Sequence, residues 1–75
     1  MHRLQFYGKL KAICSEAGEL APQKSVAELQ TALIQKYPNL AGEPFFISTQ
    51  ERILQIQDLL EGNEIISIMP PFSGG

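Results

Sequence analysis

Ile65-Ile66-Ser67-Ile68-Met69-Pro70-Pro71-Phe72-Ser73-Gly74-Gly75 is the stretch on which the fold turns. Ile65 to Met69 is a short apolar run rich in β-branched residues, which predicts a buried strand. Pro70 and Pro71 end it. Neither has an N–H to give to a sheet, and both fix φ, so the backbone leaves as a stiff, extended segment. Phe72 and Ser73 follow, then Gly74 and Gly75. Glycine has no Cβ, so its backbone can approach a partner closely. A Gly-Gly end therefore suits a channel too narrow for other residues. The competing interpretation is a frayed terminus with no role.

Working back from that strand, the clearest element is a helix. Ser25-Val26-Ala27-Glu28 is a capping box, in which Ser25 accepts from the N–H of Glu28 while Glu28 reaches back. Val26, Leu29, Leu33 and Tyr37 then share one face, flanked by Ala32 and Ile34. Pro38 closes the element, because the residue before a proline disfavours the α region. The spacing predicts one amphipathic helix from Val26 to about Tyr37.

The rest is read around these two. His2 to Tyr7 alternates, with Leu4 and Phe6 apolar, and predicts a strand. Lys9 to Ala17 predicts a short helix or turn, with Leu10, Ile13 and Cys14 at helical spacing and Gly18 as its C-terminal cap. Glu19 to Ala21 predicts a brief strand cut off by Pro22. Asn39 to Pro44 reads as a loop. Phe45 to Thr49 predicts a strand, Gln50-Glu51 a turn, and Arg52 to Gln57 a short edge strand. Asp58 to Glu64 carries turn chemistry at Gly62-Asn63. One long helix with a single apolar stripe needs a sheet to cover it. The order of elements predicts an α+β fold, a ubiquitin-like β-grasp, with a mixed sheet of about five strands on one main helix. Its first and last strands form the central parallel pair. Residues 1–69 are expected to form the domain and 70–75 an extended tail.

At 75 residues the core is small, and most apolar residues must be used in it. The net charge of −2 argues against nucleic acid as the main partner. Basic residues concentrate in 1–40 (Arg3, Lys9, Lys11, Lys24, Lys36). Residues 41–75 carry Glu43, Glu51, Asp58, Glu61 and Glu64 against Arg52 alone. A partner that receives the tail is expected to be basic there; ordinary surface solvation explains the same charges. Cys14 is the single cysteine, so an internal disulfide is not expected, which fits a reducing cytosol and a cytoplasmic location. Arg3 and Gln5 interrupt the first apolar segment, so no secretory leader is expected. No apolar run has the length of a membrane span.

Catalytic chemistry is scarce. His2 is the single histidine and, near the N-terminus, is expected to be exposed. Cys14 falls on the apolar face of a helix and is expected to behave as a small hydrophobe. One ring and one thiol are too few for a metal site, and no glycine-rich phosphate loop is present. Asp58, Glu61 and Glu64 cluster on a turn, where a solvated role is expected. The group with chemical promise is the Gly75 carboxylate. It is inert as an acyl donor until its oxygen becomes a good leaving group. Adenylation by ATP supplies that, and a sulfur nucleophile can then displace AMP. A side chain near the carboxyl carbon would obstruct the activating enzyme, which is the physical case for Gly74 and Gly75.

A chain of this length and element order ending in Pro70-Pro71-Phe72-Ser73-Gly74-Gly75 resembles the small subunit of molybdopterin synthase, the MoaD-like sulfur carriers. The tail carries the specificity. The family has a Gly-Asp-Glu turn directly before the last strand, where this chain has Gly62-Asn63-Glu64 and an extra Ile65. The resemblance implies that Gly75 is adenylated with Mg-ATP by an enzyme related to ubiquitin-activating enzymes and becomes a thiocarboxylate. Pro70, Pro71, Phe72, Ser73 and Gly74 would then seat the tail in the large synthase subunit; Phe72, a large apolar residue on a segment that has left the sheet, is expected to be its anchor. There the sulfur would pass to a pterin precursor, in a heterotetrameric synthase. The resemblance implies no bound cofactor or metal for this chain, and no general acid or base from it. A thiamine-pathway sulfur carrier, a ubiquitin-like protein modifier and an interaction module with an idle tail remain open from the residues alone.

Overall fold

The computed structural model describes residues 1–71. Alternation starts it: β1 (His2–Phe6) buries His2, Leu4 and Phe6 and exposes Arg3 and Gln5. A short helix α1 (Lys9–Ile13) follows, then β2 (Ala17–Leu20). The main helix α2 (Val26–Lys36) runs into a 3-10 turn, Pro38–Gly42. β3 (Phe46–Ser48) and β4 (Ile65–Met69) complete the order. Among the described residues the sheet has four strands in the order β2-β1-β4-β3. β1 and β4 are its parallel centre, with Leu4 opposite Ile66 and Phe6 opposite Ile68. β2 and β3 flank them, both antiparallel.

α2 forms where its sequence places it. Ser25 accepts from the Glu28 N–H at 3.2 Å. The Glu28 carboxylate reaches one residue further back than a standard capping box, to the Lys24 N–H at 3.2 Å. Val26, Leu29 and Leu33 are fully buried beneath Leu4, Phe6, Ile66 and Ile68. Each such side chain contributes about 1.5–3 kcal/mol by leaving water. Tyr37 ends the helix and meets Phe6 edge-to-face, with ring centroids 4.9 Å apart.

Several boundaries differ from expectation. The sheet has four strands rather than five. Arg52 to Gln57 makes one bridge, Ser48 to Ile53, and no strand. The cause is local: Asp58 accepts the Gln55 N–H at 2.7 Å and takes Arg52 at 2.9 Å, drawing the segment into a turn. α1 stops at Ile13, with Cys14 as its cap, because Glu16 and Ala17 are taken by the sheet: the Phe6 N–H donates to the Glu16 carbonyl at 3.1 Å. Gly18 is thus a residue of β2 rather than a helix cap. The Tyr37 hydroxyl lies 2.2 Å from where a Cβ on Gly18 would stand, so close approach explains that glycine.

Candidate functional site: the tail exit

The tail leaves from the end of β4. There Phe46 pairs with Met69 on one side, and the Tyr7 N–H donates to the Ile68 carbonyl at 3.0 Å on the other. Continuing the β1–β4 register by one residue puts Tyr7 beside Met69. Tyr7, Met69 and Phe46 therefore make an apolar row on the sheet face away from α2. Tyr7 is 40% and Phe46 46% exposed, and the neighbouring row, Gln5, Ser67 and Ser48, is polar. β4 stops at Met69, Pro70 is half-buried and Pro71 is exposed. Phe72, Ser73, Gly74 and Gly75 lie outside the described residues, so the site expected at them is not located by the fold.

Gly8 occupies the turn between β1 and α1, with φ 58° and ψ −139°. A Cβ there would lie 2.9 Å from Cγ of Pro70. The turn and the first residue of the tail are thus in direct contact.

The opposite end of β4 holds the residue that sequence reasoning misplaced. His2 is completely buried, not exposed. Its Nε2 accepts from the Gln23 N–H at 3.0 Å, so in the neutral ring the proton sits on Nδ1. Nδ1 faces the Glu64 carbonyl at 3.3 Å and its carboxylate at 3.5 Å. His2 thereby ties the start of β1 to the loop before α2 and to the turn before β4. The signal was present in the sequence: His2, Leu4 and Phe6 share one phase of a period-two pattern.

The acidic turn is likewise less solvated than expected. The Glu64 carboxylate accepts from the N–H groups of Glu61 at 2.7 Å and Gly62 at 3.0 Å. Burial pushes its acidity down, but these backbone donors and the attraction of His2 outweigh that and hold the carboxyl below the usual glutamate range. Arg52 similarly holds Asp58 below its ordinary value. Cys14 is half-buried against the core. Burial, and then the Glu43 charge, raise its thiol above the ordinary range, which keeps it protonated. Among the described residues no group of three or more His, Cys, Asp or Glu side chains is placed to hold a metal. No helix there is long and apolar enough to cross a membrane.

A sheet of order β2-β1-β4-β3 wrapped on one main helix, with a parallel central pair, is the ubiquitin-like β-grasp. No family model matches the chain. Solved structures do. SAMP1 from Haloferax volcanii superposes with a TM-score of 0.76 at 13% identity, over 99% of this chain and 98% of that one. A Pyrococcus furiosus protein provisionally assigned as molybdopterin converting factor, subunit 1, gives 0.77 at 13% identity, over 95% and 97%. A second structure of the H. volcanii small archaeal modifier protein 1 gives 0.73 at 12%, over 95% and 97%. At these identities the likeness is one of fold.

Proposed function

We propose that this domain is a sulfur carrier of molybdopterin synthesis, acting through the Gly75 carboxylate. An adenylating enzyme related to ubiquitin-activating enzymes would use Mg-ATP to form the Gly75 acyl-adenylate, releasing pyrophosphate. A sulfur donor would displace AMP and leave a thiocarboxylate. The large synthase subunit would then take the tail into its active site, and the sulfur would pass to the pterin precursor. The domain supplies the sulfur and a docking surface, and the partner supplies acid–base chemistry. A cytoplasmic setting suits that chemistry, because a reducing compartment keeps thiol-type sulfur reduced.

The observation that carries this is the end of β4. The central strand of the sheet stops at Met69, and Pro70 takes the chain out of the ladder beside the apolar row Tyr7–Met69–Phe46. A partner that covered this row would meet the chain where Pro70 and Pro71 lead it out of the sheet. Deleting Gly75, or adding one alanine after it, should abolish pterin sulfuration and leave the melting temperature unchanged, since both leave the core residues Leu4 to Ile68 unaltered. Near wild-type sulfuration by either variant would contradict the proposal. The likeness to small archaeal modifier protein 1 favours one other reading, a modifier joined through Gly75 to lysines of other proteins. Activation is common to both, and their products separate them.

A further inference from the structure

The end of the β1–β4 ladder has a specific geometry. The Tyr7 N–H donates to the Ile68 carbonyl. In a parallel ladder the return bond to the Tyr7 carbonyl comes from the residue two further along the neighbouring strand. That residue is Pro70, which has no N–H. The Tyr7 carbonyl accepts instead from the Leu10 N–H at 3.1 Å, and the Lys11 N–H donates to the Gly8 carbonyl at 3.2 Å. The chain thus turns into α1 where the ladder fails. Gly8 stands at that turn in a conformation open to glycine and closed to L side chains. A Cβ on it would come within 2.9 Å of Pro70 Cγ and 3.4 Å of Cδ. A pyrrolidine ring cannot swing aside as a long side chain can, so either Pro70 or the turn would have to move.

We propose that Gly8 is a positioning residue for the tail: its bare backbone is the seat of Pro70, and the seat sets the direction in which the chain leaves the sheet. This rests on the tail being the acting group. Gly8 takes no part in the chemistry. A domain with a misdirected tail still docks through its sheet face, but Gly75 reaches the adenylating site less often.

The test is ATP–pyrophosphate exchange by a matching activating enzyme, with carrier concentration varied, for Gly8→Ala, Pro70→Ala and the double variant. Gly8→Ala should lower kcat about tenfold or more, because small misplacements of a reacting group are costly, with KM little changed. A merely structural role does the reverse: a smaller folded fraction raises the apparent KM and leaves kcat alone. In the Pro70→Ala background, which lacks Cγ and Cδ, Gly8→Ala should cost clearly less in kcat. An unchanged kcat in Gly8→Ala, or an equal loss in both backgrounds, overturns the proposal. Should Gly8→Ala not fold, Pro70→Ala decides alone: it keeps Gly8 and the whole of β4, loses the seated ring, and should lower kcat, while a wild-type kcat overturns the proposal. Should the wild-type chain support no exchange, the carrier reading fails separately. The contact is then judged by denaturation of the same variants: Gly8→Ala must destabilise less when residue 70 is alanine, and equal losses remove the seat.

Discussion

β4 and the segment 49–61 that leads into it are held in opposite ways. β4 has a strand on each edge, parallel β1 and antiparallel β3, and Ile66 and Ile68 are fully buried. Segment 49–61 touches the sheet through the Ser48–Ile53 bridge and the Leu54 N–H to Ile47 carbonyl bond at 2.8 Å. A second bridge ties Leu59 to Ser25. Between them the backbone is organised by Asp58, and Ile53, Ile56 and Leu59 stay exposed. The tail therefore hangs from a strand that opens only with the whole sheet. The acidic loop before it is a set of local turns pinned by Leu54 and Leu60 against the core and by the Val26 N–H to Asp58 carbonyl bond at the start of α2, so the exposed turns between these points open at lower cost than β4.

The largest effect should come from the buried side of that contrast. Ile66→Ala or Leu33→Ala should cost about 2–5 kcal/mol. A domain of this size has on the order of 5 kcal/mol in total, so a substantial unfolded population should follow. Ile56→Ala, in the exposed loop, should stay within about 0.5 kcal/mol. Urea denaturation compares them directly, and equal midpoints would mean that β4 and the α2 stripe do not make the core.

His2→Ala should come next. It leaves the Gln23 N–H without its acceptor, a loss of about 1–3 kcal/mol. A wild-type melting curve would show that the buried ring is not a tie between β1, the loop before α2 and the turn before β4.

Glu64 gives a smaller, pH-dependent effect. Its folded-state acidity is stronger than its unfolded one, so its contribution is fully present above about pH 4.3, the ordinary glutamate value, and is lost as pH falls through the lower folded value. The stability gap between wild type and Glu64→Gln should thus close in acid. A gap independent of pH would mean that the carboxylate charge stabilises nothing.

The smallest effect is local. Asp58→Ala should speed hydrogen exchange at the Gln55 amide, whose acceptor it removes, and leave the amides of β4 at their wild-type rates. Exchange that rises in both regions together would erase the contrast between them.

The parts of the molecule held by repeated patterns were legible in the sequence. α2 was readable because its cap, stripe and terminating Pro38 agree, β1 because its residues alternate, and β4 because a β-branched apolar run stops at Pro70. What escaped was held by single contacts. Arg52 to Gln57 alternates as a strand should, but the Asp58 side chain takes the Gln55 N–H and the ladder stops. Glu16 and Ala17 have helical composition, yet the sheet claims them through the Phe6 N–H. His2 shares the buried phase of Leu4 and Phe6, and that phase outweighs its nearness to the terminus. The Gly8–Pro70 contact joins residues far apart in the chain, and no local pattern announces it. Pro70 to Gly75 carry their chemistry in the sequence alone, and past Pro71 they lie outside the described residues.

The central claim is that the Gly75 carboxyl is an activated sulfur carrier, and intact mass spectrometry tests it most directly. The full chain is incubated with a ubiquitin-activating-type enzyme, Mg-ATP and a sulfur donor, under conditions in which that enzyme converts its own carrier. The expected product is the chain with one oxygen replaced by sulfur, placed at Gly75 by fragmentation. An unchanged mass would contradict the account, and conjugates to lysines of other proteins in place of the sulfur product would replace the carrier with a modifier.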